Sequence, residues 1–113
     1  MQAKRFCLTL DLKNDPALIA AYEHYHQAEV IWPEILEGNK EIGILSMDIY
    51  RAGNRLFMIM ETVADFDLAR DFDRLKTLPR QKEWANLMLL YQQGVPFAKP
   101  GEHWVLMQLI FSQ

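Results

Sequence analysis

Three observations predict that this chain folds as a ferredoxin-like α+β sandwich with the order βα(α)ββα(α)β. Four separate runs carry strand-like apolar patterns, and the stretches between them carry apolar residues at helical spacing. The two central strand-like runs flank Arg51-Ala52-Gly53-Asn54, whose Gly-Asn pair suits a tight hairpin. No internal repeat, low-complexity tract or linker interrupts this order, and 113 residues suffice for one domain spanning 1–113.

Each element has its own warrant. In RFCLTLDL, residues 5–12, Phe6, Leu8, Leu10 and Leu12 fall on one side and Arg5, Thr9 and Asp11 on the other, which predicts the first strand. Asn14-Asp15-Pro16 then supplies a cap and a proline at the first helical position, and Leu18, Ile19, Tyr22 and His26 follow at helical spacing to about residue 28. Pro33 disfavours helical geometry at Trp32, so Trp32 is expected at a bend, with a short second helix from Pro33 that Gly38 ends. Strands two and three cover Glu41 to Tyr50 and Arg55 to Val63. Asp65 is expected to cap a helix carrying Leu68, Ala69, Phe72 and Leu75. After a break near Thr77, another begins at Pro79 with Trp84, Leu87, Met88 and Tyr91, and ends at Gly94. His103 to Phe111 reads as the last strand.

In LFMIM, residues 56–60, and in WVLMQLIF, residues 104–111, both faces of the strand are apolar. Helices cover only one face of such a sheet, so the other needs a second cover. A second copy of the same sheet provides it, which predicts a homodimer with a barrel-like core. The competing expectation is that the C-terminal segment or the 95–103 loop folds over that face.

Composition narrows the function. Half the residues are apolar and the formal charge is -3, so there is no basic face to neutralise a phosphate backbone and nucleic acid is not expected as a partner. No apolar run approaches the ~20 residues that cross a bilayer, and MQAKRF lacks the apolar block of a signal peptide, so no membrane partner and a cytoplasmic location are expected. Cys7 stands alone, which excludes an internal disulfide and fits a reducing compartment.

The candidate chemistry gathers in YEHYHQAEVIWPEI, Tyr22 to Ile35. Tyr22 and His26 are four apart and share one helix face, where they either complete the core below Leu18 and Ile19 or touch one ligand together. The crowding of Tyr22, His26, Trp32 and Glu34 at one helix end favours a site, because a core there is built more cheaply from leucine. His24 and His26 point to nearly opposite sides of a helix, and His103 reads as a strand-start residue, so no metal is expected. Ser46 and Ser112 lack a nucleophile elbow, and the five glycines are isolated, so neither a hydrolytic triad nor a nucleotide cofactor is indicated. Acid/base chemistry on a small neutral polar molecule remains. A histidine titrates near neutrality, aromatic faces at Tyr22, Trp32 and Trp84 suit a sugar ring, and Glu34, Asp48, Glu61 and Glu83 are candidates to accept hydroxyl protons.

Tyr22-x-x-x-His26, then Ile31-Trp32-Pro33-Glu34, Asn54 to Phe57, and Trp84 on the last helix together resemble the L-rhamnose mutarotase family, in the same order through most of the chain. The resemblance implies a small ferredoxin-like dimer that interconverts the α and β anomers of a 6-deoxy-L-sugar without a cofactor. It places the general acid on His26, a sugar-contacting tyrosine on Tyr22 and a late tryptophan pair on Glu83 and Trp84, of which only Trp84 is retained. Substrate binding is accordingly expected at Tyr22, Trp32, Glu34, Asp48, Glu83 and Trp84. The chain departs from the pattern in three places. His26 to Trp32 is two residues longer than usual, a strand tyrosine falls on Leu45, and one tryptophan is Glu83, so Asp48, Tyr50 or Glu83 is expected to remake the lost contacts. The tail from Lys99 resembles a branch that acts on L-fucose as well as L-rhamnose. Other expectations on the same dimeric fold are a cofactor-free oxygenase, a lactone isomerase, or a sugar-binding module without turnover.

Overall fold

The computed structural model describes residues 2–113. Its elements are β1 (Lys4–Leu12), α1 (Pro16–Tyr25), α2 (Pro33–Glu41), β2 (Ile44–Ala52), β3 (Arg55–Thr62), α3 (Leu68–Leu75), α4 (Gln81–Leu89), β4 (Gln92–Gln93) and β5 (Val105–Leu106). The antiparallel sheet runs β2-β3-β1-β4, with β5 also on β1, and this is the ferredoxin-like order. Among the described residues no helix is long and apolar enough to cross a membrane.

Strand alternation decides which residues meet the helices. β1 pairs β3 with Phe6 opposite Met60, Leu8 opposite Met58 and Leu10 opposite Leu56. These pairs lie on one face, and Leu8, Leu10, Leu12, Leu56, Met58 and Met60 are buried there. One core cluster joins Leu8, Ile44, Met58, Met60 and Phe66 to Phe72 and Leu75 of α3. A second joins Leu12, Tyr22, Leu56 and Met88 to Ile19, Tyr25, Trp84, Leu87, Tyr91 and Trp104. Each fully buried leucine or methionine stabilises by about 1.5–3 kcal/mol, so the second cluster anchors α1 and α4 firmly to the sheet. The opposite face carries Cys7, Thr9, Phe57 and Ile59, with Asp48 and Tyr50 of β2 opposite Ile59 and Phe57. Among the described residues no helix lies on it.

Several boundaries differ from the expected ones. α2 does not stop at Gly38 but continues to Glu41, and Gly43 at φ 100° follows it. Gly38 is buried inside the helix, where a Cβ would overlap the Gln81 amide of α4. α1 ends at Tyr25, with His26 as its C-cap. The cap of α3 is Asp67, whose carboxylate accepts from Arg70 N at 2.9 Å, rather than Asp65.

The expected last strand is the largest difference. Only Val105–Leu106 pair, with Met107 N donating to Cys7 O at 2.7 Å, and Leu109, Ile110 and Phe111 are 79%, 89% and 74% exposed. The segment therefore does not fold over the helix-free face. An apolar run becomes a strand only against a partner edge, and within this chain the pairing stops at Cys7.

Candidate active site

The site is assembled by two helix starts and one helix end. Asp15 caps α1, accepting from Ala17 N at 2.9 Å and Leu18 N at 3.2 Å, with Pro16 at the first position. From that start, the four-residue spacing brings Tyr22 and His26 to the same face. The terminal carbonyls of a helix lack partners, and His26 fills that role: its ring Nδ1 donates to Tyr22 O at 2.7 Å. This bond fixes the tautomer of the neutral ring, so Nδ1 holds the proton and Nε2 is left as a bare acceptor.

Aromatic rings surround that imidazole. Tyr22 lies with its ring centroid 4.4 Å from His26, tilted by 32°, and Trp84 approaches His26 at 5.4 Å with its ring at 67°. Trp32, in extended geometry immediately before Pro33, stands 5.1 Å from Trp84 at 70°. The stretch between His26 and Trp32 forms a turn, in which Val30 N and Ile31 N both donate to Gln27 O at 2.9 Å. Tyr25 joins the group by packing edge-on to Trp84 at 6.4 Å, and His24 stays exposed.

Burial tunes both titratable groups. It lowers the His26 pKa below the ordinary histidine value, against the opposing bond to Tyr22 O, and so favours the neutral imidazole. It raises the Tyr22 pKa, against the opposing donation from Gln92, and so keeps the phenol protonated. An acceptor and a donor thus stand side by side near neutral pH.

The carboxylates are distributed differently from the expectation. Arg80, held at φ 61° as the N-cap of α4, lays its guanidinium over Trp32 at 3.8 Å and faces Glu34 at 3.7 Å and Glu83 at 3.6 Å. Glu34 and Glu83 are therefore tied to a cation at the rim. One face of Trp32 is covered by it. Asp48 does not join the group: it is exposed on the helix-free face of β2. Glu61 lies on that same face and pairs with Arg5 at 3.1 Å. Tyr50, also there, is 59% exposed. The structure thus brings together His26, Tyr22, Trp32, Glu34, Glu83 and Trp84, and leaves Asp48 out.

Sequence reasoning missed Arg80, Tyr25 and Gln92. A left-handed arginine has no local signature, and Tyr25 stands one residue before His26, off the helix face that Tyr22 and His26 share. Gln92 meets Tyr22 only through the pairing of β4 with β1. Among the described residues, no group of three or more His, Cys, Asp or Glu comes together as a metal site.

A model of the L-rhamnose mutarotase family matches residues 5–113. An L-fucose mutarotase of Xanthomonas campestris is 39% identical over 92% of this chain and 83% of its own length. An L-rhamnose mutarotase structure from Formosa agariphila superposes with a TM-score of 0.69 at 20% identity, covering 97% of this chain and 98% of that one. The tetracenomycin F2 cyclase of Streptomyces glaucescens, a type-II polyketide cyclase, shares the fold with a TM-score of 0.59 at 20% identity over 98% of this chain and 97% of its own. The chain belongs to the L-rhamnose mutarotase family and is with it a carbohydrate-isomerising enzyme.

Proposed function

We propose that this enzyme interconverts the α and β anomers of a 6-deoxy-L-sugar, with His26 as the general acid/base and Tyr22 as its partner. The observation that carries the reading is the imidazole whose Nδ1 is engaged with Tyr22 O, which keeps the proton off Nε2 in a ring flanked by Tyr22 and Trp84. Ring opening requires a base for the anomeric hydroxyl and an acid for the ring oxygen. Neutral His26 takes the anomeric proton through Nε2 while the Tyr22 hydroxyl protonates the ring oxygen, and the ring C–O bond breaks to leave an open aldehyde. After rotation about the adjacent C–C bond, closure onto the other face of the aldehyde returns both protons to their donors. His26 is thus the acid in the closing step, and the transient imidazolium and phenolate stabilise each other at close range. Exchange already proceeds in water, so the contribution of each group, about 10²- to 10⁴-fold, is enough.

Trp84 and Trp32 supply apolar walls for the sugar's C–H faces. Glu34 and Glu83, oriented by Arg80, accept its hydroxyl protons at the rim. The 39% identical L-fucose mutarotase supports L-fucose as the first substrate to test, with L-rhamnose beside it. Saturation-exchange NMR of the two sugars tests the reading. Wild type is expected to exchange their anomers and His26→Ala to lose about 10²-fold or more; equal rates in both proteins sink the assignment.

The enzyme acts as a homodimer. Phe57 and Ile59 on the helix-free face and the exposed Leu109, Ile110 and Phe111 together form more apolar surface than a lone small domain ordinarily leaves in water, and a second copy covers it. The cyclase on the same fold keeps a second reading in view, a dry pocket for an aromatic substrate. The charged Glu34, Arg80 and Glu83 rim disfavours it.

A further inference from the structure

Behind Tyr22 lies a polar chain that the proposed chemistry does not yet use. Gln92 of β4 is opposite Leu12 of β1 and therefore faces the helices, and it is buried. Its Nε2 lies 3.4 Å from the Tyr22 hydroxyl, and its Oε1 lies 2.7 Å from Nε2 of His103 in the segment leading into β5. A buried glutamine is costly unless both ends of its amide are satisfied, and here both ends are.

We propose that His103 and Gln92 are positioning residues that set the direction of the Tyr22 hydroxyl: His103 Nε2–H donates to Gln92 Oε1, Gln92 Nε2–H donates to the Tyr22 oxygen, and the phenol proton is thereby left to point at the ligand. The reason is directional. A glutamine amide presents one acceptor and one donor end, so whichever end faces His103 decides what the other end offers Tyr22. With the carbonyl engaged by His103 at the shorter distance, Tyr22 receives a hydrogen bond instead of giving one. A donor aimed at the phenol oxygen also stabilises negative charge developing there when the proton leaves, and Gln92 accordingly opposes the burial that raises the Tyr22 pKa. His103, biased by desolvation toward its neutral form, still donates provided its proton sits on Nε2. This bond joins Trp104, which packs against the cluster around Tyr22, in tying the C-terminal segment to the site.

The inference rests on the catalytic reading of Tyr22, and the experiment keeps the two apart. Two-dimensional ¹⁵N–¹H spectra of the imidazoles read the tautomer of neutral His103 without any substrate, with His103→Gln to assign the signal. The Nε2–H tautomer is expected; the Nδ1–H tautomer overturns the proposal. Titration of tyrosine-Cζ-labelled protein, with Tyr22→Phe to identify the resonance, is expected to show the Tyr22 pKa rising further in Gln92→Leu. An unmoved Tyr22 titration overturns the proposal even if activity is lost.

In anomer exchange, Gln92→Leu and His103→Leu are expected to lower kcat by about 5- to 30-fold. His103→Gln, which keeps a donor, is expected to restore most of that. Gln92→Glu presents only acceptors and captures the Tyr22 proton, so it is expected to be at least as damaging as Gln92→Leu; wild-type kcat in Gln92→Glu overturns the polarity. Wild-type exchange in Tyr22→Phe refutes the catalytic reading of Tyr22 instead, while the two spectroscopic results still decide the hydrogen-bond chain. Should Gln92→Leu not fold, the His103 pair and the tautomer measurement carry the decision.

Discussion

Gly38→Ala sets two effects of opposite sign against each other at the contact that holds α2 to α4. Alanine in a helix interior is favoured over glycine by about 0.5–1 kcal/mol. Here, however, the added Cβ would overlap Gln81 Nε2, and would stand 3.1 Å from Gln81 Cδ and 3.2 Å from Leu75 Cδ1. Gln81 is buried and donates to Glu34 O at 2.9 Å, so it yields only by breaking that bond. Overpacking costs about 1–3 kcal/mol, and a lost hydrogen bond about 0.5–1.5 kcal/mol. The net expectation is destabilisation by about 1–3 kcal/mol, which lowers the urea midpoint by on the order of 1 M.

The decisive measurement is a double-mutant cycle in urea with Gln81→Ala. Once the Gln81 amide is gone, the flexible end of Leu75 is the one that remains of the three nearest contacts, and Gly38→Ala is expected to become neutral or stabilising. If the two substitutions add within about 0.5 kcal/mol, the packing argument is refuted. Anomer exchange follows the same contact, because α2 carries Trp32 and Glu34 while α4 carries Trp84 and Glu83. Gly38→Ala is accordingly expected to weaken turnover while the double variant recovers part of it.

Other consequences concern pH and assembly. Because burial lowers the His26 pKa, its base form persists into mild acid; kcat/KM is expected to fall with decreasing pH only below the ordinary histidine value of 6.5, and an acid limb at or above that value contradicts the assigned base. Asp71 accepts from Arg70 Nη2 and from Asp67 N, each at 2.8 Å, and its folded pKa is depressed chiefly by Arg70 and then by that backbone donor. Its contribution is present above the unfolded carboxylate pKa and is lost as pH falls through the folded one, so thermal melts of Asp71→Asn should show a deficit at neutral pH that shrinks in acid. On the helix-free face, Ile59→Lys is expected to yield a folded monomer in sedimentation velocity, and an unchanged dimer would place the interface elsewhere.

The local rules were legible in the sequence because they are local. Asp15-Pro16 starts α1, alternation assigns the two faces of β1 and β3, and Pro33 holds Trp32 extended, each decided within a few residues. The Tyr22 and His26 pair was legible for the same reason, since a four-residue spacing is a helix face. What required tertiary structure is every contact whose partners lie far apart along the chain. Gly38 looked like a helix end until Gln81 was packed against it, and the last apolar run looked like a nine-residue strand until its partner edge stopped at Cys7. Asp48 had the right chemistry, but strand register turned it to the face away from His26. Arg80 and Gln92 entered the neighbourhood of the site only because α4 crosses α2 and β4 pairs with β1. Spacing along a chain fixes which side chains share a face, whereas the closure of the sheet decides which faces meet.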